Sequence, residues 1–499
     1  MARFYIENFG CRATQADGAA LERQFLDRGL ERAEAARDAE IVVLNTCTVT
    51  SGADKDARAS IRRLQRVNPD CKILVTGCYA QRAPEELAAL PGVTWVVGNS
   101  HKHQVAEIAT SFSFSSSAGF ISLAQLSGET RDPLIRTERE RVAHPDNIFV
   151  GDIFAHTELM AAPVFEAANE RTRPNLKVQD GCDNRCSFCV IPYVRGQSRS
   201  LPAERVIAEV RTLVNAGYRE VVISGINLGR WGRDLRAVRY SSFAILEART
   251  EIQASEEAGR ERRTANSERP TTIDYRLVSL VRAILDRTSL EKLRISSVEP
   301  MDWSDELIGL VASSERIAKH AHVPMQSGSD AVLRRMHRKY RPWHYREKIL
   351  KIRAAMPTAA IGADVMVGFP GETEAEFEAT RRMVEELPFT YLHVFTYSQR
   401  PGTPAADAPG QVAIGVARER NRVLREIASH KKAAFMQALV GTTVNAIMLH
   451  AGGADFTEAL TDNYLKMRIY GRHEANQWTL AQVERVDGEM LVGGSYSFS

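Results

Sequence analysis

Short apolar runs alternate with amphipathic stretches over the first part of the chain. The runs are rich in Val, Ile and Leu and predict strands, whereas apolar residues recurring every three or four positions predict the helices between them. Pro84 begins one such helix, as a first-turn proline can. The predicted strands cover residues 4–10, 40–46, 72–77 and 93–98. Strands alternating with helices predict an open parallel sheet with crossover helices.

The same alternation resumes near residue 173 and continues to residue 432. Its predicted strands cover residues 176–179, 220–225, 292–299, 321–326, 362–368 and 391–397. Six strand–helix units are fewer than a full eight-unit barrel needs, but they suffice for a curved, partial (β/α)6 barrel. Its working site should lie at the carboxyl ends of the strands. Two segments break the pattern: a Ser-rich, charged linker at 109–172 and a charged insertion at 235–272.

The last part of the chain changes character. Short strands separated by turn-like residues are predicted at 443–449, 463–469, 477–483 and 489–493. Such spacing is typical of a small antiparallel barrel or sandwich. The fold class is therefore α/β, with an N-terminal open α/β domain at 1–108, the linker, a central barrel domain at 173–432 and an all-β domain at 433–499.

Composition places the chain among ordinary globular proteins. It has 499 residues, of which 44% are hydrophobic and 25% charged, and its formal net charge is only +3. Any nucleic-acid surface must therefore come from local clustering. No apolar run approaches the roughly 18 residues of a membrane span, and the first residues lack a signal-peptide layout. Seven cysteines, an odd number, favour a reducing cytoplasm over a disulfide framework.

Cys182, Cys186 and Cys189 stand at C-x3-C-x2-C spacing directly after a predicted strand. Thiolates crowded into one loop select an iron–sulfur cluster or zinc. Structural zinc normally takes four ligands, and this loop offers no fourth Cys or His. A four-iron cluster with three thiols would keep one iron open. Spacing favours that cluster, while zinc completed by a distant ligand and inert core cysteines stay open as alternatives.

Cys11, Cys47 and Cys78 each follow a predicted strand of the N-terminal sheet. Because the carboxyl ends of parallel strands meet at one edge, we expect the three thiols to form a second site. The alternative is three unrelated core cysteines. Cys71 precedes its strand, at the opposite edge, and is predicted to be structural.

A basic stretch at 334–351 has aromatic residues interleaved. It contains Arg334, Arg335, Arg338, Lys339, Arg341, Arg346, Lys348 and Lys351, with Tyr340, Trp343 and Tyr345. Such a pattern suits RNA binding through phosphates and stacked bases. It equally suits a solvated helix whose aromatics pack inward.

These motifs resemble a known family. The central cysteine triad in the first βα loop of a six-unit barrel resembles the radical S-adenosylmethionine superfamily. The flanks of the N-terminal cysteines, Asn8-Phe-Gly-Cys, Asn45-Thr-Cys-Thr-Val-Thr and Thr76-Gly-Cys-Tyr-Ala-Gln, narrow the resemblance to its methylthiotransferases. Leu460-Thr-Asp-Asn-Tyr-Leu-Lys-Met resembles the RNA-binding TRAM domain of that family. With the motifs that begin at His322 and Val367, the chain most resembles the branch acting on N6-threonylcarbamoyladenosine at tRNA position 37.

The resemblance implies a mechanism and its cofactors. Cys182, Cys186 and Cys189 would hold a catalytic [4Fe–4S] cluster that binds S-adenosylmethionine and supplies the electron for its cleavage. The resulting radical would remove hydrogen from adenine C2. Cys11, Cys47 and Cys78 would hold a second [4Fe–4S] cluster that carries or donates sulfur. The implied S-adenosylmethionine pocket comprises Ser224, Gly225, Ser296, Ser297, Gly368, Gly371 and Glu372.

The expected partners are the anticodon loop of tRNA, a sulfur source and a low-potential electron donor such as flavodoxin or ferredoxin, with no membrane. Other substrates remain open: isopentenyladenosine in tRNA, or an aspartate of a ribosomal protein. A zinc-stabilised RNA-binding protein without catalysis is the alternative from another class.

Overall fold

The computed structural model describes residues 2–111, 147–156, 159, 172–235 and 275–495. Most of the predicted linker and insertion therefore lies outside the described residues. The chain divides into two compact units. The first is Met1–His156 with Tyr193–Arg195, and the second is Thr157–Pro192 with Gly196–Ser499.

The first unit is a six-stranded parallel sheet with helices. Its elements are β1 (Arg3–Asn8), α1 (Arg12–Leu26), β2 (Glu31–Arg32), β3 (Ile41–Thr46), α2 (Ser51–Val67), β4 (Lys72–Gly77), α3 (Cys78–Arg82), α4 (Pro84–Ala88), β5 (Val93–Gly98), α5 (Val105–Ser111) and β6 (Ile148–Phe149). The strand order is β2-β1-β3-β4-β5-β6, and every pairing is parallel. The predicted open parallel sheet is confirmed. Edge strands β2 and β6 were missed because two residues carry no periodicity.

Burial explains these elements. All six residues of β3 are buried, as expected for a central parallel strand covered on both faces. Helix α2 begins where the Thr50 hydroxyl accepts a hydrogen bond from the Ala53 amide at 3.2 Å. Its buried residues Ala57, Ile61 and Leu64 recur every three or four positions and face the sheet.

The central part of the second unit is a partial barrel. Its elements are β7 (Asn175–Asp180), α6 (Ile191–Arg195), β8 (Arg199–Ser200), α7 (Ala203–Asn215), β9 (Glu220–Gly225), α8 (Leu277–Arg287), β10 (Lys292–Ile295), α9 (Asp305–Ser313), β11 (His320–His322), α10 (Asp330–Arg335), α11 (Pro342–Ala355), β12 (Ala360–Val367), α12 (Glu374–Glu386), β13 (Tyr391–Thr396) and α13 (Ile414–Gln437). The last three residues of α6 are the ones grouped with the first unit.

Six parallel strands form this curved sheet, as the sequence predicted. One segment has the order β10-β9-β7-β8 and the other β11-β12-β13. A parallel bridge between Leu293 and Ile317 links β10 to the chain just before β11. Only the short strand β8 pairs in the antiparallel sense among the described strands of this sheet. A single large core of Val, Ile and Leu side chains fills the space between strands and helices.

The C-terminal part is a closed five-stranded barrel. Its strands are β14 (Thr443–Gly452), β15 (Phe456–Thr461), β16 (Lys466–Tyr470), β17 (Trp478–Asp487) and β18 (Met490–Ser495), in the order β14-β15-β16-β18-β17. The all-β prediction is confirmed, but β15 was missed and the β16–β18 pair is parallel. The fully buried guanidinium of Arg294 donates to the carbonyls of Thr461 and Asp462, which ties this barrel to β10.

Among the described helices, none combines the length and the apolar character needed to cross a membrane.

Candidate iron–sulfur sites

The structure places Cys11, Cys47 and Cys78 at one edge of the N-terminal sheet. Cys11 lies between β1 and α1, Cys47 directly follows β3, and Cys78 is the first residue of α3 after β4. Strands β1, β3 and β4 are consecutive neighbours in the sheet. Cys11 is exposed, whereas Cys47 and Cys78 are buried. The strands thus bring the three thiols to the same edge, as expected. Cys71 lies instead in the hydrophobic core, in keeping with a structural role.

The thiols of this N-terminal triad influence one another. Burial, together with the neighbouring Cys78 and Cys11, raises the pKa of Cys47 to about 12. The Asn99 side chain donates a hydrogen bond to the Cys78 Sγ atom at 3.6 Å. Thiols held this way bind iron only by releasing their protons to the solvent.

Gly10 allows Cys11 and Cys47 to approach each other. Its φ is +98°, and a Cβ atom added there would lie 2.4 Å from Cys47 Cβ and 2.8 Å from Cys47 Sγ. A side chain at position 10 would therefore displace a proposed ligand. Glycine also adopts this positive φ without strain.

Two cations and one carboxylate are buried within the first unit. Lys102 Nζ and Arg195 Nη2 each lie 2.9 Å from Asp17 Oδ2, and all three side chains are almost fully buried. Burial lowers the pKa of Lys102, while Asp17 opposes this shift. The charge of Cys78 also raises the pKa of Lys102, and the charge of Arg195 lowers the pKa of Cys47. The cations thus lie within electrostatic range of the N-terminal triad, which suits thiolate ligands.

The loop after β7 carries the central cysteine triad and is held firmly. The Cys182 amide donates to the Gly196 carbonyl at 3.0 Å, and the Cys189 amide donates to the Cys186 carbonyl at 3.1 Å. The Ser187 hydroxyl donates to the Arg335 carbonyl at 2.7 Å. These bonds fix the loop at the carboxyl edge of β7.

The central thiols are close enough to shift each other's pKa values. Burial, together with the neighbouring Cys186 and Cys182, raises the pKa of Cys189 to about 12. Burial also raises the pKa of Cys182, although hydrogen bonds from Asn184 and Asn227 oppose this.

Polar groups point at the sulfur atoms of this triad. Cys182 Sγ accepts from the Asn184 amide at 3.4 Å and from Asn227 Nδ2 at 3.6 Å. Cys186 Sγ accepts from Arg338 Nη1 at 3.3 Å. Hydrogen bonds to sulfur tune iron–sulfur clusters, so these donors fit a thiolate-bound cluster. Sequence reasoning missed Asn227 and Arg338 because they are far from the cysteines along the chain.

The first four predicted pocket residues lie at neighbouring strand ends. Ser224 and Gly225 end β9, beside β7, and Ser296 and Ser297 follow β10 on the other side of β9. The Ser224 hydroxyl is buried and has no hydrogen-bond partner among the described residues. Such an orphaned group requires an explanation, and a polar ligand provides one. The Ser297 hydroxyl instead forms a short hydrogen bond with His322 Nδ1.

The other three predicted pocket residues have protein partners. Glu372 Oε2 accepts from the Gly368 amide at 2.6 Å and from Arg420 Nη1 at 2.8 Å. The Gly371 amide donates to the Gly410 carbonyl at 2.7 Å. These three residues follow β12 and are held against α13 and the chain before it. Their part in the pocket stays a prediction.

Two interpretations of the basic stretch at 334–351 were open, an RNA-binding surface or a solvated helix whose aromatics pack inward, and the structure favours the second. Tyr340 and Tyr345 are fully buried and donate to the carbonyls of Met325 and Val323. Only Trp343 of the three aromatics is well exposed. Most of the basic residues pair with acidic ones, as in Arg334–Asp330, Arg335–Glu376, Arg346–Glu386 and Lys351–Asp305. Apart from the buried Arg338, the stretch is therefore a solvated surface with two of its three aromatics packed inward.

A basic groove elsewhere in the second unit was missed. It has a volume of about 840 Å³ and combines basic with aromatic side chains. Its lining includes Arg173, Arg425, Lys432, Lys466 and Arg468, with Tyr391, His393 and Tyr464, and also Asp487 and Glu489, which pair with Arg468 and Lys432. These residues are scattered over the sequence, so only the fold brings them together.

Comparison with known proteins identifies two family regions. Residues 3–98 match the family described as Uncharacterized protein family UPF0004. Residues 176–384 match the Radical SAM superfamily. The two regions contain the N-terminal and the central cysteine triad respectively.

Curated relatives match nearly the whole chain. It is 34% identical to the threonylcarbamoyladenosine tRNA methylthiotransferase MtaB of Bacillus subtilis, over 95% of this chain and 92% of that protein. It is 32% identical to the MtaB of Aquifex aeolicus, over 95% and 98%. The tRNA-2-methylthio-N(6)-dimethylallyladenosine synthase of Cereibacter sphaeroides is 31% identical, over 90% and 88%.

Among solved structures, the radical S-adenosylmethionine methyltransferase TsrM of Kitasatospora setae aligns with a TM-score of 0.48 at 14% identity, over 91% of this chain and 79% of that one.

Identity above 30% over almost the full length of the relatives shows the family directly. The protein is an enzyme that transfers a methylthio group and uses S-adenosylmethionine with [4Fe–4S] clusters. The chain belongs to the radical S-adenosylmethionine methylthiotransferase family.

Proposed function

We propose that this enzyme installs a methylthio group at C2 of N6-threonylcarbamoyladenosine, at position 37 in the anticodon loop of tRNA. The observation that carries the proposal is the likeness to three MtaB relatives, at 31–34% identity over 93–95% of this chain. The dimethylallyladenosine synthases among the relatives make isopentenyladenosine-37 the competing substrate.

Cys182, Cys186 and Cys189 are proposed to hold the cluster that binds S-adenosylmethionine. A cluster held there would supply the one electron needed to cleave S-adenosylmethionine into methionine and a 5′-deoxyadenosyl radical. The Asn227 amide group and the Arg338 guanidinium orient the sulfur ligands through hydrogen bonds. Backbone hydrogen bonds at Cys182 and Cys189 hold the loop that carries the three thiols.

The neighbouring strand ends are proposed to bind S-adenosylmethionine itself. Ser224 Oγ and Asn227 Oδ1 are both buried and lack a hydrogen-bond partner among the described residues. Ser224 lies at the end of β9 and Asn227 follows this strand, next to the cysteine loop. The Ser224 hydroxyl can donate to or accept from polar groups of this ligand, and the Asn227 amide oxygen can accept from them. Gly225, Ser296 and Ser297 complete this side of the pocket, with Gly368, Gly371 and Glu372 proposed for the other.

Cys11, Cys47 and Cys78 are proposed to hold the second cluster, at which sulfur is carried or donated. The buried cations Lys102 and Arg195 support negatively charged thiolate ligands there. A sulfur source and a low-potential donor such as flavodoxin or ferredoxin would serve the two sites, and the enzyme would work in the cytoplasm. The proposed domains are 1–108, 173–432 and 433–499, the last acting as a TRAM-like RNA-binding domain.

Nucleoside analysis tests the substrate. In a deletion strain, mass spectrometry of tRNA nucleosides should show loss of the methylthiolated threonylcarbamoyladenosine, with its precursor accumulating and methylthiolated isopentenyladenosine unchanged. The wild-type gene should restore the product, and Cys186→Ala should not. Loss of the isopentenyl product instead would overturn the substrate assignment.

Iron analysis tests the two triads separately from the substrate. Two cubane clusters correspond to about eight irons per chain after anaerobic reconstitution. Replacing all three cysteines of either triad by Ala should leave about four irons. Cys71→Ser is the matched control, because this buried cysteine belongs to neither triad, and it should keep about eight. Stoichiometric zinc without an EPR signal would favour the RNA-binding alternative.

A further inference from the structure

Three metal-ligating side chains meet on adjacent strands of the partial barrel. His322 ends β11, Asp364 lies in β12, and His393 lies in β13. Asp364 and His393 are directly paired in the register of β12 and β13. One ligand atom of each residue lies within 4.8 Å of the other two. Neither cysteine triad contributes to this group.

The spacing of these atoms suits a shared cation. His322 Nε2 lies 3.3 Å and His393 Nδ1 lies 3.2 Å from Asp364 Oδ1. Nitrogen and oxygen ligands bound at about 2.1 Å, with angles between octahedral and tetrahedral values, stand roughly 3.0–3.4 Å apart. Both observed distances fall in that interval.

His322 is already oriented for coordination. Its Nδ1 atom is hydrogen-bonded to the Ser297 hydroxyl, which leaves Nε2 facing Asp364. The side chain is 8% exposed, and Nε2 makes no hydrogen bond of acceptable geometry to the described residues. Metal-ligating histidines usually have their other ring nitrogen fixed by a polar partner in this way.

The group is accessible from solvent on one side. The His393 side chain is 53% exposed and lines the basic groove described above, together with Tyr391 and Tyr464. An ion held by the three residues would keep open positions toward that groove. Two histidines and one carboxylate with open positions are typical of a first-row transition-metal site.

We propose that His322, Asp364 and His393 bind one divalent first-row transition-metal ion, at a site distinct from both cysteine triads. This metal site is additional to the proposed function, since neither iron–sulfur site involves these three residues. Ser297 acts as a positioning residue that fixes the His322 ring.

Mn²⁺ is a suitable probe, because as a hard ion it binds a carboxylate, here flanked by two imidazoles, and competes poorly for thiolates. The reconstituted full-length enzyme, without tRNA or S-adenosylmethionine, would be titrated while EPR follows the signal of free Mn²⁺. We expect saturable binding of about one ion per chain. Asp364→Asn and His393→Ala should each weaken it at least about tenfold, and Ser297→Ala by about tenfold.

His344→Ala is the matched control, because His344 is exposed on α11, and it should bind like the wild type. Iron content and thermal unfolding would verify that each variant keeps its fold and clusters. Absence of saturable Mn²⁺ binding, or equal affinity in the Asp364 and His393 variants, would overturn the proposal and leave a hydrogen-bonded His–Asp–His group. Neither result affects the substrate assignment, since no RNA is present.

Discussion

The guanidinium of Arg338 donates a hydrogen bond to the Sγ atom of Cys186 at 3.3 Å. Arg338 also forms a short ion pair with Glu299 and stacks over the Tyr340 ring at 5.0 Å. The arginine is buried, so its charge acts on the sulfur with little screening by water. Arg338, in the middle of the basic stretch at 334–351, thus contacts a sulfur atom of the central cysteine triad.

Arg338→Gln should lower the reduction potential of the central cluster. The substitution removes a cation and a hydrogen-bond donor at Cys186, which raises the electron density on the sulfur and disfavours reduction. The reduction potential should fall by on the order of tens of millivolts. EPR-monitored redox titration would measure it in a background lacking the N-terminal cysteines. Arg334→Gln is the control, because Arg334 is exposed and pairs with Asp330. Equal potentials in the two variants would contradict a role for Arg338 at the cluster.

Gly10→Ala should cost the enzyme its N-terminal cluster. The new Cβ would lie 2.4 Å from Cys47 Cβ at a φ of +98°, so Cys47 must move. Iron content should fall from about eight to about four per chain, while the central cluster remains.

Gly29→Ala is the matched control for Gly10. Its φ is +77°, but an added Cβ would meet no atom within 4 Å. This variant should therefore show only the backbone strain, about 1 kcal/mol of unfolding free energy, with full iron content. Full iron content in Gly10→Ala as well would show that Cys47 tolerates the displacement.

The sequence predicted the long elements and the cysteine positions for physical reasons. Central strands such as β3 are continuous apolar runs, and the cysteines follow them directly, so sheet topology alone gathers the thiols. The two-residue strands β2, β6 and β8 have no such pattern. Strand β15 was missed because alternating residues beside glycines resemble a turn-rich loop.

The side chains that contact the cysteines could not be predicted from the sequence. Arg338 and Asn227 reach the triad across 152 and 45 residues of chain, and only tertiary packing determines such contacts. The basic stretch was ambiguous for the same reason, since several of its charges pair with acidic residues of other helices, as in Arg335–Glu376, Arg346–Glu386 and Lys351–Asp305. Its aromatics are buried because α11 turns Tyr345 toward the core.

Glu372→Gln should destabilise the folded enzyme by about 3–5 kcal/mol, because it removes the buried one of the two carboxylates that pair with the buried Arg420. Chemical denaturation followed by circular dichroism would measure the change. Glu374→Gln is the control, because Glu374 pairs with the same arginine at 2.9 Å but is 71% exposed, and its loss should cost at most about 1 kcal/mol. Unchanged stability with weaker S-adenosylmethionine binding would instead make Glu372 a direct pocket residue.

Asp17→Asn should destabilise the first unit by about 3–5 kcal/mol. The substitution removes a carboxylate that both Lys102 and Arg195 contact at 2.9 Å, and it leaves two buried cations facing each other. Because burial already lowers the pKa of Lys102, the amine should lose its proton at a still lower pH in the variant. Stability of Asp17→Asn should therefore rise with pH between the lowered pKa of Lys102 in the folded variant and the ordinary lysine pKa, since in that interval the unfolded chain binds more protons than the folded one.

Denaturant unfolding at several pH values would measure both effects. Asp27→Asn is the control, because Asp27 is exposed and pairs only loosely with Arg23, at 3.8 Å, so its loss should change stability by less than about 1 kcal/mol. If Asp17→Asn matched Asp27→Asn at every pH, the buried ion group would contribute nothing to the fold. The cations would then be retained chiefly for the thiolates of the N-terminal triad, and the variant should show altered cluster potential without altered stability.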